Sequence, residues 1–205
     1  MKFREAISKM GLVHAIPTIA QNKSGQSVKM DSSTHSSVIL ARVSYDKAFA
    51  DFQEKAREVL KGLKPEGYDE REQKISRMRD IDRRAKAAKE WNGEGEEPAM
   101  PTEEELKEAD EIRPTEEAFK KETDELNEQF IAAQEKILNE EVTVPSGTLT
   151  KKELADICNV VDSLAEASAA EGKQAVIPVT LTLYNKTVNF TTEDFLQMVA
   201  VELVA

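Results

Sequence analysis

The sequence predicts a mainly α fold with a small α+β part: a long antiparallel helical hairpin, then a C-terminal module of helix, β-hairpin and helix. Three observations carry that expectation. Apolar residues recur in steps of three and four over 38–63 and again over 115–137, the period of a helix with one buried face. Apolar residues alternate strictly with others over 177–184, the period of a half-buried strand. Gly, Pro and cap-forming residues punctuate the chain between these runs.

Taken in order, Phe3, Ala6, Ile7 and Met10 define a short first helix that Gly11 weakens, and the Ser-rich stretch 21–37 reads as a polar loop. Val38, Tyr45, Phe49, Phe52, Ala56, Val59 and Leu63 then form a heptad-like seam, interrupted at Arg42 and ended by Pro65 and Gly67. A second helix over 69–91 has a thinner face of Ile75, Met78, Ile81, Ala85 and Ala88. The Gly- and Pro-containing stretch 92–101 is a connection. Thr102 with Glu105 is a capping box for a helix over 102–112, which Pro114 stops.

Thr115 is the expected N-cap of the longest helix, whose seam is Phe119, Leu126, Phe130, Ala133 and Ile137. Two long helices with matched narrow seams are satisfied by lying antiparallel, with 64–114 as the distal half and tip of the hairpin. Val142 and Val144 have strand spacing, Pro145–Gly147 make a turn, and Thr150 with Glu153 opens a helix carrying Ile157, Cys158, Val161 and Leu164 on one face. Ile177, Val179, Leu181 and Leu183 form a strand, Asn185 and Lys186 its turn, and Val188 and Phe190 the return strand. Pro178 lacks an N–H and belongs on a sheet edge. A closing helix with Phe195, Leu196, Val199 and Leu203, capped at Thr191 or Thr192, covers the hairpin. The resulting organisation is 1–37, an N-terminal helix and polar loop; 38–142, the hairpin with helices 69–91 and 102–112 inserted; and 143–205, the α+β module.

The chain of 205 residues has a net charge of −11, and that charge is segregated. Residues 1–92 hold 19 basic and 13 acidic side chains, residues 93–142 hold 5 and 18, and residues 143–205 hold 4 and 8. A basic run next to an acidic one implies pairing, within the chain or between subunits. The acidic excess argues against a general nucleic-acid or anionic-membrane binder, because a phosphate backbone rewards clustered Lys and Arg. Arg77, Arg79, Arg83, Arg84 and Lys86 are the best candidate nucleic-acid contact, but Asp80 and Asp82 interrupt them and no aromatic platform accompanies them, so a face paired to the acidic neighbour is the favoured reading. No apolar run approaches the roughly 20 residues of a membrane span, and the N-terminus lacks the apolar stretch of a signal peptide.

Catalytic and metal chemistry find few residues to work with. His14 and His35 lie in neither a Glu-x-x-His nor a His-x-x-x-His arrangement, so no metal site is expected. Cys158 is the single cysteine, which leaves no intrachain disulfide and no Cys-based zinc site; on an apolar helical face it reads as a small hydrophobe. Gly93 and Gly95 are surrounded by Glu94, Glu96 and Glu97, which repel phosphate. No nucleophile–base pair, phosphate loop, cofactor or small-molecule substrate is thus expected from the sequence.

Two segments, VSYDKAFADFQEKAREVL at 43–60 and EKILNEEVTVPSGTLTKKEL at 135–154, resemble a family of small phage- and prophage-encoded proteins of unknown function. In that family a short N-terminal helix precedes a pair of long charged helices, followed by an extended segment. The resemblance covers the first three quarters of the chain and does not extend to 174–205. It implies a phage context and no known catalysis.

These readings combine into an expectation of a non-enzymatic structural or interaction protein, phage or mobile-element encoded, found in the host cytoplasm or the virion. It is expected to assemble through its hairpin with itself or with a protein partner in a larger complex. The alternative is an acidic inhibitor that mimics DNA through 93–142, with Glu103, Glu104, Glu105 and Glu108 as its contact residues.

Overall fold

The structure, a computed structural model, describes residues 1–91, 93 and 98–204. The chain is mainly α with two small antiparallel hairpins. Its elements are α1 (Phe3–Ala15), β1 (Ile19–Gln21), β2 (Ser27–Lys29), α2 (Ser32–Leu63), α3 (Tyr68–Glu90), α4 (Glu103–Ile112), a 3₁₀ turn (Arg113–Thr115), α5 (Glu116–Leu138), α6 (Lys151–Ala170), β3 (Val176–Leu181), a second 3₁₀ turn (Thr182–Tyr184), β4 (Lys186–Thr191) and α7 (Thr192–Leu203). Half of the expected connection at 92–101, including Gly95 and the three glutamates around it, lies outside the described residues. Packing divides the chain into two units: residues 1–56 with 135–205, and residues 57–134. Composition had placed its divisions at 37/38 and 142/143.

In the first unit, Ala6, Val13 and Ile16 from the N-terminal segment, Val38, Ala41, Tyr45 and Ala48 of α2, Ile157, Val160 and Val161 of α6, and Phe195, Val199 and Leu203 of α7 share one core with Ile177 and Val179 of β3. The buried row of α2 is Thr34, Val38, Ala41, Tyr45, Ala48, Phe52 and Ala56, a seam with the predicted steps of three and four that takes in Thr34, Ala41 and Ala48, while Phe49, Val59 and Leu63 of the expected seam are only partly buried. Where the periodicity is interrupted, Arg42 serves a different purpose. Its guanidinium donates to the carbonyls of Val13, His14 and Ile16 at 3.3, 3.4 and 2.7 Å, satisfying acceptors that the end of α1 leaves open.

Several sequence expectations are corrected by packing. Helix α1 continues through Gly11 to Ala15, because that glycine lies against β3: a Cβ there would come 2.0 Å from the Thr180 carbonyl oxygen. The polar stretch 21–37 is not a loop throughout. It contains the β1–β2 turn, tied by Asn22 Oδ1 accepting from the backbone of Ser24 and Gln26, with Gly25 at φ +77°. It also contains the first turn of α2, where the Asp31 carboxylate accepts from the Ser33 N–H at 3.1 Å.

Thr115 does not cap α5; it ends a 3₁₀ turn that runs through Pro114 into the helix, and its hydroxyl donates to the Ile112 carbonyl. The longest helix is α2, with 32 residues against 23 in α5. Val142 and Val144 form no strand; Glu141 bridges to Lys2, and the Val142 N–H donates to the Met1 carbonyl. The strand beginning at Val176 stops at Leu181, and the turn to β4 is Thr182–Asn185, with Asn185 in the left-handed region at φ 46°. Lys186 therefore pairs with Leu181 instead of turning. The capping boxes at Thr102/Glu105 and Thr150/Glu153 form as expected, and Thr191 caps α7.

In the second unit the core is thin. Tyr68 and Ile75 of α3 pack with Phe119 and Leu126 of α5, joined by the partly buried Leu60 and Leu63 of α2, while Met78 and Ile81 enclose Ala109 of α4. Phe119 stacks obliquely on Tyr68, ring centroids 5.1 Å apart. Helix α3 thus takes a share of the α5 seam that its sequence reserved for α2.

Candidate functional site

The second unit brings the basic and acidic segments together residue by residue. Arg71 of α3 grips Glu122 of α5 through Nε and Nη2 at 3.1 and 2.5 Å. Arg79 donates to Glu116 at 2.8 Å, Arg77 pairs with Glu108 at 2.8 Å, and Arg84 with Glu105 at 2.6 Å. Arg113 returns the arrangement, holding both oxygens of Asp82 at 3.0 Å. Numbers rise along α3 as they fall along its partners, the pairing of antiparallel elements. The hydrogen bond from Arg84, followed by that from the Thr102 N–H, holds the Glu105 carboxyl below its ordinary range, and Glu105 in turn raises Arg84. Among the described residues, Arg83 and Lys86 pair only along their own helix, with Asp80 and Glu90.

The arginine face singled out in the sequence is therefore split: Arg77, Arg79 and Arg84 are engaged by the acidic segment, while Arg83 and Lys86 remain at the surface. Of the four glutamates of the inhibitor reading, Glu105 and Glu108 are occupied by these arginines.

Beside this ladder lies a groove of about 900 Å³ walled by α3, α4 and α5. Ile75, Ile112, Ala118 and Phe119 line it with apolar surface, and Lys74, Glu111 and Glu125 stand among its charged lining residues. A second hollow of about 550 Å³ also reaches Ile75 and Phe119. The α3–α5 pair is thus held by few side chains and left open on both flanks, within the size range of binding clefts.

The first unit carries an exposed apolar row that sequence reasoning missed. Ile39, Leu40 and Val43 on α2 are 43%, 55% and 59% exposed, on the side opposite the buried seam of that helix. The signal was present as three large apolar residues off the heptad positions, which the seam leaves unassigned.

The residues considered for chemistry lie apart in function. His14 Nε2 lies 2.7 Å from the Asp46 carboxylate at an exposed position, and His35 is exposed in the first turns of α2. Cys158 is half-buried; burial, and then the Asp162 charge, push its thiol up, away from the thiolate that nucleophilic chemistry uses. Among the described residues no group of three or more His, Cys, Asp or Glu side chains is placed to hold a metal ion, and no helix is long and apolar enough to cross a membrane. Compared with protein-family models, curated proteins and solved structures, the chain matches none of them.

Proposed function

We propose that this chain is a phage- or mobile-element-encoded structural or interaction protein that works by assembly, with itself or with a larger complex such as a virion, and not by catalysis. The observation that carries the reading is the uncovered row Ile39, Leu40 and Val43. Scattered single apolar residues are ordinary on a surface, but three on adjacent helical turns mark a contact. The internal ion pairs support the same reading over the acidic inhibitor: a DNA mimic must present its carboxylates outward, whereas Glu105, Glu108, Glu116 and Glu122 are bound to arginines of the same chain.

The phage context rests on the resemblance of 43–60 and 135–154, and it makes the host cytoplasm or the virion the place of action. Mass spectrometry of purified particles from the phage carrying this gene tests the virion role. Peptides of the chain at a fixed ratio to the major capsid protein are the expected result. Their presence in infected cells and absence from washed particles contradicts it. Neighbouring capsid, portal or tail genes support a virion part, and neighbouring early genes an inhibitor.

A further inference from the structure

We propose that the exposed α2 row of one molecule seats in the α3–α4–α5 groove of a second copy, a head-to-tail contact that rests on the assembly reading above. Ile39, Leu40 and Val43 lie on one helical face, and Lys47, one turn on from Val43 in the same row, has no hydrogen-bond or ion-pair partner among the described residues. The groove offers the complement. Its apolar lining includes Ile112 and Ala118, and Glu111 and Glu125 beside them have no partner among the described residues, although Glu108 and Glu122 nearby are already neutralised by Arg77 and Arg71. Apolar row meets apolar groove, and the Lys47 ammonium meets Glu111 or Glu125. Lys74, the lining cation that has no partner among the described residues, stands on α3, which directs Lys47 toward the α4 and α5 carboxylates instead.

Row and groove are different surfaces, so the contact is heterologous: copies joined by it form a ring where the rotation between them closes and an open chain where it does not. Three side chains bury far less than the roughly 800 Å² per partner of a stable interface. The association is therefore weak and concentration-dependent in free solution.

Two full-length variants test this by sedimentation velocity: a row variant, Leu40→Asp with Val43→Asp, and a groove variant, Glu111→Lys with Ala118→Arg. All four positions are exposed, and circular dichroism verifies that helical content is retained. The expected result is wild-type mass that climbs with concentration, each variant alone at 22.9 kDa, and a mixture of the two forming a dimer that grows no further, because only one intact row and one intact groove remain. Lys47→Glu, which leaves the apolar row intact, is expected to weaken wild-type association several-fold at low salt. Association unaffected by either variant, or a mixture that stays monomeric, overturns the row-in-groove contact and leaves self-assembly standing. A wild-type chain that never associates overturns this contact and removes self-assembly from the reading above.

Discussion

Tyr45 and Gly11 show how much of this fold depends on single positions. The Tyr45 hydroxyl, buried in the first unit, donates to the Gly147 carbonyl at 2.9 Å, and a Cβ on Gly147 would fall 2.9 Å from that hydroxyl oxygen. Burial, reinforced by the Glu202 charge, raises the Tyr45 phenol from 10.0 to about 12. A raised phenol pKa contributes stability that is whole below pH 10 and is lost as pH climbs toward 12. Tyr45→Phe is therefore expected to lose about 1–2 kcal/mol at neutral pH, where the carbonyl is left unpaired, and to lose less on going from pH 9 to 11 than the wild type in urea titrations. Gly11→Ala separates propensity from packing. Propensity favours alanine within a helix by about 0.5–1 kcal/mol, but the Thr180 carbonyl occupies the space, so a loss of about 1–3 kcal/mol is expected in the same titration. The sequence marked Gly11 as a weak point in a helix; that a strand lies against it is a long-range fact that no local pattern encodes.

At the scale of elements, periodicity and caps were legible, and what they pack against was less so. The α2 seam, the capping boxes at Thr102 and Thr150, and the alternation of β3 are local signals, and they survive in the structure because burial agrees with them. The three-residue strands β1 and β2 were missed because so short a run has no measurable alternation, and the 3₁₀ turn through Pro114 because proline is compatible with the start of a helical turn. The charge blocks pointed to pairing, but the partners of individual arginines depend on the antiparallel course of α3 against α4 and α5. That ladder carries its own test. Arg71→Glu is expected to cost about 1 kcal/mol in thermal or urea unfolding, and exchanging the pair, Arg71→Glu with Glu122→Arg, to restore most of it; equal destabilisation by both would mean that the pairing does not help hold these helices. Added salt is expected to narrow the difference, since this pair is only partly buried. Thr102→Ala should cost about 1 kcal/mol through loss of the cap, and should also release Glu105 toward Arg84 alone, checked by helical content on heating.

For the whole molecule, the acidic surplus changes meaning once the pairs are placed. Carboxylates of α4 and α5 hold the arginines of α3, which leaves the surplus itself on carboxylates such as Glu111 and Glu125, and beside that charge lie two surfaces with apolar content: a row on α2 and a groove among α3, α4 and α5. Function on this account belongs to those surfaces and not to the charge. The contact row escaped the sequence because three off-seam residues carry no periodic signal, and the groove because a hollow is a property of packed helices. The most direct test is multi-angle light scattering of the full chain over a wide range of loading concentrations, at low and at high salt. The account expects an average mass that rises above 22.9 kDa with concentration and persists at high salt, because the contact is mainly apolar. A mass of 22.9 kDa at every concentration, with salt-sensitive capture of a basic DNA-binding protein in its place, contradicts it and favours the acidic inhibitor.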